Sequence, residues 1–201
     1  ISEKVSRDGV KILRFLKSSV GISHEIVEKI VQNGDIAVDA TAGNGNDTLF
    51  LARLVGDAGH VYSFDIQDLA LENTRSKLYA ENLQHRVTLI KAGHQEMDKY
   101  VPKGIRAVMF NLGYLPGGDH SICTKPDTTI EAIEKSLELI KINGIVMIVV
   151  YHGGDTGFEE KDAVMSFLKN LDSKKYNVLV HHFINQINCP PIAVCIEKLK
   201  E

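Results

Sequence analysis

An α/β fold on an open, mostly parallel sheet is what this sequence predicts, and three observations predict it. Residues 36–39 have strand character and run into a turn with two glycines, Gly43 and Gly45. The apolar-periodic run Leu49, Phe50, Leu51, Leu54 follows, which makes a strand, a tight loop and a helix. Residues 145–150 are continuously apolar, as a strand buried on both faces of a parallel sheet has to be. Between them, strand-like runs ending near Asp65, Gly93 and Asn111 alternate with helix-like runs.

The chain of 201 residues is read as a single domain over 1–201, with residues 1–20 as a helical extension. Hydrophobic content of 44% and charged content of 24% are ordinary for a globular protein and exclude a disordered one. No apolar run reaches the ~20 residues that span a bilayer, and the first residues lack the apolar centre of a signal peptide. A cytoplasmic location is therefore expected, with no membrane partner. The first residue is Ile1 rather than methionine, which reads as an engineered start or a trimmed product. Cys123, Cys189 and Cys195 are odd in number and form no C-x-x-C pair, so reduced thiols are expected, and neither a disulfide framework nor a metal site. A formal net charge of −3 gives no global pull toward nucleic acid, so RNA contact has to come from a local patch.

In residues 1–20, Val5, Ile12, Leu13, Leu16 and Val20 share one side of a helix, while Lys4, Arg7, Lys11, Arg14 and Lys17 recur at steps of three and four on the other. That basic stripe reads either as a solvated face or as a phosphate contact. A second helix starts near Ser23, a good N-cap, and stops at Asn33-Gly34. Beyond the glycine loop come a strand at 61–65, a polar helix through Leu69, Leu71 and Leu78, and strands at 87–90 and 107–110. A helix through Ile130, Ile133, Leu137 and Ile140 ends at Asn143-Gly144, before strand 145–150. A helix near 159–170 and strands at 176–180 and 192–196 follow, with no internal repeat.

Glycine has no Cβ to hold a ligand away from backbone N–H groups, so the loop of Thr41, Ala42, Gly43, Asn44, Gly45, Asn46, Asp47 and Thr48 is read as a small-molecule cradle, with a plain structural turn as the alternative. A dinucleotide site prefers a third glycine where Thr48 stands. Asp39 and Asp47 flank the loop with negative charge, which suits a ligand with a cationic end better than a pyrophosphate. S-adenosylmethionine is such a ligand, with an ammonium, a sulfonium and no phosphate. Asp65, followed by Ile66 and Gln67, stands where an acid accepts the hydroxyls of a ribose, a group that NAD also carries. His94 either meets an adenine or is a loop histidine without a ligand.

Asn111 opens a run to Asp119 that places glycine and proline after a buried strand and looks like an active-site loop. Asn111-Leu112-Gly113-Tyr114 resembles the Asn-Pro-Pro-Tyr motif of methyltransferases that act on exocyclic nitrogens. The asparagine oxygen and the next backbone carbonyl can hold an amine's hydrogens so that its lone pair faces the methyl group, and Tyr114 can stack the base or enclose the methyl. Leu112-Gly113 in place of two prolines predicts a less rigid loop. Residues 151–155 open at the same sheet edge, and 183–191 form a polar turn with two prolines.

Residues 38–45, 110–116, 125–129 and 185–191 together resemble the bacterial family long labelled rRNA methylases and now understood as tRNA methyltransferases, over about residues 20–198. The resemblance implies a Rossmann-like class I methyltransferase, with a mostly parallel seven-stranded sheet, helices on both faces and a C-terminal antiparallel hairpin. It implies S-adenosyl-L-methionine as cofactor, no metal, and tRNA as partner through its anticodon region. The methyl acceptor would be the amine of 5-aminomethyl-2-thiouridine at the wobble position.

Carried onto this chain, Asp39, Thr41, Gly43, Asn44, Gly45, Asn46, Asp47, Thr48, Asp65, Ile66, Gln67, His94, Asn111 and Gly113 bind the cofactor, and Asn111 and Tyr114 are catalytic. Leu115, Pro116, Asp119, Lys125, His152, Asn185, Gln186 and Asn188 meet the substrate, with His152 and Asp119 as candidate proton acceptors. An alkylamine titrates near lysine's pKa of about 10.4, so the site has to favour its neutral form, which burial beside a sulfonium does. A homodimer stays open. So do ribosomal RNA as substrate, a pyrimidine carbon attacked through Cys123 or Cys189, and a non-catalytic cofactor- or RNA-binding module. An NAD-dependent enzyme is disfavoured by Thr48.

Overall fold

The computed structural model describes residues 2–5, 11–115, 117, 123–153 and 157–201. Its elements in chain order are β1 (Ser2–Val5), β2 (Lys11–Arg14), α1 (Ser19–Ile30), β3 (Ile36–Asp39), α2 (Asn46–Val55), β4 (His60–Asp65), α3 (Asp68–Ala80), β5 (Val87–Lys91), β6 (Ile105–Leu112), α4 (Pro126–Leu139), β7 (Ile140–Val150), α5 (Gly157–Lys169), β8 (Tyr176–His181) and β9 (Ile192–Lys198). Seven of these strands form one sheet in the order β5-β4-β3-β6-β7-β9-β8. The pairs from β5 to β7 are parallel, whereas β9 runs antiparallel to both β7 and β8. The mostly parallel sheet is as the sequence predicts, and the C-terminal antiparallel hairpin is as the family resemblance implies.

Strand side chains alternate across the sheet and so build two cores. Val38, Val108, Phe110, Val146 and Ile148 cluster with Ile133 and Leu137 of α4, Val164 and Leu168 of α5, and Met97 from the 3-10 turn His94–Lys99. On the other face Ala37, Ala107, Met109, Ile145 and Met147 cluster with Val27 of α1, Leu51 and Val55 of α2, and Leu78 of α3. Each Val, Leu, Ile, Met or Phe among them contributes roughly 1.5–3 kcal/mol on burial. The strand ends are thereby held from both sides.

From β3 the chain moves outward to β4 and β5, then returns to β6 on β3's other side. Such a reversal opens a crevice at the C-terminal ends of the two strands. No helix among the described residues is long and apolar enough to cross a membrane.

Two expectations are corrected. Residues 2–5 and 11–14 are strands and not part of a helical extension: β1 and β2 pair antiparallel, with Ser2 opposite Arg14 and Val5 opposite Lys11. The first helix starts at Ser19, and the hydroxyl of its cap Ser18 accepts from Gly21 N at 3.2 Å. Ser23, expected as a cap, lies buried inside that helix with its hydroxyl on the Ser19 carbonyl. The intervening sequence carries Asp8-Gly9, a dipeptide that suits hairpin turns and weakens helices. Lys4, Lys11 and Arg14 of the expected basic stripe stand on strands, whose period is two, and Arg7 lies outside the described residues.

The second correction concerns Asn143-Gly144, which does not end α4. That helix stops at Leu139 and β7 begins at once. Ile105 pairs with Ile140 and Ala107 with Ile145, so residues 141–144 bulge from the ladder, with Asn143 at φ +60°. The bulge brings Lys141 Nζ to 2.7 Å from Asp35 Oδ1.

Candidate active site

At the end of β3, Asp39 is fully buried, and its two oxygens accept from Thr41 N at 3.1 Å and from the Thr48 hydroxyl at 2.5 Å. Thr48 Oγ1 also meets Ser63 Oγ at 2.8 Å. Asp39 thus braces the glycine loop from beneath. Burial and then the charge of Asp47, with a smaller push from Asp65, raise its pKa to about 7 against the hydrogen bonds from Thr48 and Thr41.

The two loop glycines serve different ends. A Cβ on Gly45, at φ +77°, would lie 2.9 Å from Thr74 Cα, so this residue lets the loop rest on α3. Gly43, at φ +50°, has Leu115 Cδ1 at 3.6 Å as its nearest neighbour and leaves the loop's other side clear. Gly43 N donates to Asp65 Oδ2 and Gln67 N to Asp65 Oδ1, both at 2.9 Å, which orients the carboxylate at the end of β4. Asn73 and Lys77 of α3 donate to the side chains of Asn44 and Asn46 at 3.1 and 2.8 Å. Gly45 is the N-cap of α2, and having no side chain it leaves that helix start without a side-chain cap. Ile66 is exposed at the rim.

Asn111 is held at both ends. Its backbone N–H donates to Thr41 Oγ1 at 2.7 Å, and its Nδ2 donates to Asp47 Oδ2 at 2.6 Å. The other Asp47 oxygen lies 2.7 Å from His24 Nε2, and the His24 ring stacks on Phe50 at 4.0 Å. Gly113, at φ +150°, exchanges hydrogen bonds with Thr124: its N–H donates to Thr124 Oγ1 at 2.9 Å, and its carbonyl accepts from Thr124 N at 3.1 Å. The buried Glu160 accepts from the hydroxyls of Thr124 and Thr129, each at 2.7 Å. Tyr114 is half exposed and forms a bridge with Cys123, while Leu115 is buried against the glycine loop. Pro116 and Asp119 lie outside the described residues.

His94 sits lower than a ligand-facing role suggests. It is buried edge-on to Phe110 at 5.6 Å, and burial lowers its pKa to about 4 despite a hydrogen bond to the backbone at Ala40. His152 is buried beside Phe158 and His182, and burial, then Lys161 and His182, lowers its pKa. Lys125 is exposed at the start of α4, and Asn185, Gln186 and Asn188 are exposed on the β8–β9 turn. That turn approaches the end of β7, where Cys189 Cβ is 3.8 Å from the Cβ position of Gly153.

The structure therefore joins Asp39, Thr41, Gly43, Asp47, Thr48, Asp65, Gln67, Asn111, Gly113 and Leu115 into one contact network. His24, Thr124 and Glu160 belong to it and escape the sequence reading. Tyr151 is a further neighbour, its phenol pKa raised by burial and by the charge of Asp47. Cys195 is an inert thiol pushed up to about 11 by burial. Among the described residues no group of three or more His, Cys, Asp or Glu is placed to hold a metal ion.

A ligand with positive charge fits this crevice. Burial raises Asp39 most, and the charges of Asp47 and, less, Asp65 add to it; a cation relieves that added repulsion where a pyrophosphate would increase it. The fold and this site define a class I S-adenosylmethionine-dependent methyltransferase. The family model described as "Putative rRNA methylase" matches residues 61–197, and the chain belongs to that family.

Among solved structures, one described as a "putative rRNA-methylase" from Clostridium thermocellum is 59% identical, with a TM-score of 0.91 over 92% of this chain and 100% of that one. A "putative methyltransferase" from Streptococcus mutans, solved in complex with SAH, is 46% identical, with a TM-score of 0.85 over 92% of this chain and 100% of that one. A curated relative, the chloroplastic tRNA (mnm(5)s(2)U34)-methyltransferase of Arabidopsis thaliana, is 35% identical over 192 residues, covering 90% of this chain and 70% of its own.

Proposed function

We propose that this methyltransferase acts on RNA and N-methylates the aminomethyl group of the wobble uridine of tRNA. The observation that carries the reading is the fixed amide of Asn111. Because Asp47 is an acceptor, Nδ2 must face it, and Oδ1 is left to face the crevice. An oxygen so placed suits a primary amine, whose hydrogens it can accept while the lone pair stays free. The name of the Arabidopsis relative supports the same substrate.

When bound, S-adenosylmethionine supplies an electrophilic methyl group. Asp65, oriented by Gly43 and Gln67, would hold its ribose hydroxyls, Ile66 its adenine side, and loop 41–48 with Asp47 its methionine part. Asn111 Oδ1 orients the amine. The Leu112 carbonyl already accepts from Tyr151 N at 3.2 Å, so one lone pair of that oxygen remains for the second amine hydrogen. The lowered pKa of His152 makes it a weak acceptor for an alkylammonium proton, and selection of the neutral amine falls to burial. Lys125, Asn185, Gln186 and Asn188 offer polar contacts to the RNA, and Ile184 and Ile187, 89% and 85% exposed, offer apolar ones beside them.

The test is methyl transfer to tRNA bearing 5-aminomethyl-2-thiouridine, read by nucleoside mass spectrometry. One new methyl on the aminomethyl nitrogen is expected, falling roughly 10²–10³-fold with Asn111→Ala. Transfer to ribosomal RNA only would replace the substrate. Loss of transfer with Cys123→Ser or Cys189→Ser, cofactor binding being retained, would indicate methylation at carbon.

A further inference from the structure

We infer that His24 is a positioning residue for Asn111, acting through the Asp47 carboxylate. The inference rests on the amine-methylation reading above and adds to it a residue from α1, outside the loops that build the crevice.

Three elements meet here. His24 comes from α1, Asp47 from the first turn of α2 and Asn111 from the end of β6. Asp47 is 7% exposed, and its two oxygens face different partners, His24 Nε2 at 2.7 Å and Asn111 Nδ2 at 2.6 Å. A carboxylate only accepts, so both partners donate. The His24 ring is itself fixed, stacked on Phe50 with a 6° angle between planes. Without the His24 donor, one oxygen of a nearly buried carboxylate loses that partner. Asp47 is then free to rotate, and the Asn111 amide turns with it. Losing this fixed contact should lower transfer about tenfold to a hundredfold.

His24→Phe keeps a ring on Phe50 and removes the donor, whereas His24→Gln restores an N–H near the Nε2 position and removes the ring. Two readouts are taken: single-turnover methyl transfer with saturating S-adenosylmethionine, and the side-chain amide NMR signals of Asn111, assigned by their loss in Asn111→Ala. His24→Phe should lower transfer about tenfold to a hundredfold and displace the Asn111 amide signals. His24→Gln should recover most of both. Cofactor affinity, to which Asp47 also contributes, should fall by much less than the rate of transfer. On an Asn111→Ala background, His24→Phe should cost nothing more.

Parent-like transfer and amide signals in His24→Phe would overturn the inference. Failure of His24→Gln to recover either readout would assign the histidine to packing alone and overturn it too. A loss of cofactor affinity as large as the loss of rate would move His24 to cofactor binding, which again overturns it. If the parent protein leaves this tRNA unmethylated, the substrate reading fails, and the amide signals decide the inference by themselves: displaced by Phe and restored by Gln sustains it, and unmoved overturns it.

Discussion

Gly45→Ala separates a glycine needed for packing from one needed for a ligand. At φ +77° an alanine pays the left-handed backbone cost of roughly 1–2 kcal/mol. Its Cβ would then stand 2.8 Å from Thr74 Oγ1 and 2.9 Å from Thr74 Cα. The hydroxyl can rotate away, but the Cα moves only if α3 moves, and overpacking of this kind costs about 1–3 kcal/mol. The sum is about 2–5 kcal/mol. At about 2–4 °C per kcal/mol for a chain of this size, Tm should fall by about 4–20 °C in differential scanning calorimetry. Adding Thr74→Ala should return only part of that loss, because the new methyl still presses on the α3 main chain at residue 74. Gly43→Ala is the control, since its nearest neighbour at 3.6 Å leaves only the backbone cost and its main effect should be on cofactor affinity. A Gly45→Ala protein within about 2 °C of the parent would refute the packing argument.

Asp39 keeps its proton in the folded chain up to about 7, while the unfolded chain releases it near 3.8. Its contribution to stability is complete below 3.8 and is lost as pH rises through about 7. Asp39→Asn should therefore flatten the decline of stability over that window in urea titrations. A cation beside the cluster favours the ionised form, so binding of S-adenosylmethionine near pH 7 should release protons, detectable by calorimetry in buffers of different ionisation enthalpy. Glu160→Gln leaves one acceptor oxygen where two hydroxyls now donate, and should cost about 1–3 kcal/mol in urea midpoints as well as slowing transfer. Lys125→Ala should weaken RNA binding and reduce its log-log salt slope by about one, with cofactor affinity untouched.

Local patterns were legible wherever they carried a period or a punctuating residue. The strand at 36–39, the helix behind the glycine loop and the apolar β7 follow from side-chain spacing, and Asp65 and Asn111 from their places at strand ends. Helical spacing is a weak guide near the start of the chain because the pairing of residues 2–5 with 11–14 depends on contacts between segments and not on the period within either. Asn143 did signal a positive φ, but in a strand bulge rather than at a helix end. His24 and Glu160 were not legible for another reason. Their partners lie 23 residues away for His24, and 36 and 31 residues away for Glu160, and no local spacing encodes such contacts. Loop glycines looked alike in the sequence, and only the neighbour of each distinguishes a helix contact from an open ligand side.

The order of the strands has a consequence for how the chain is made. β9 sits between β7 and β8, although it follows both in sequence. As the chain emerges from a ribosome, β8 has no strand to join until β9 appears. Throughout that interval residues 145–150, all of them apolar, present an unpaired edge on a sheet of the five strands from β5 to β7. Chains stalled in this window, or carrying a proline within β9, should therefore associate through that edge, so the yield of the enzyme depends on the seven residues that close it.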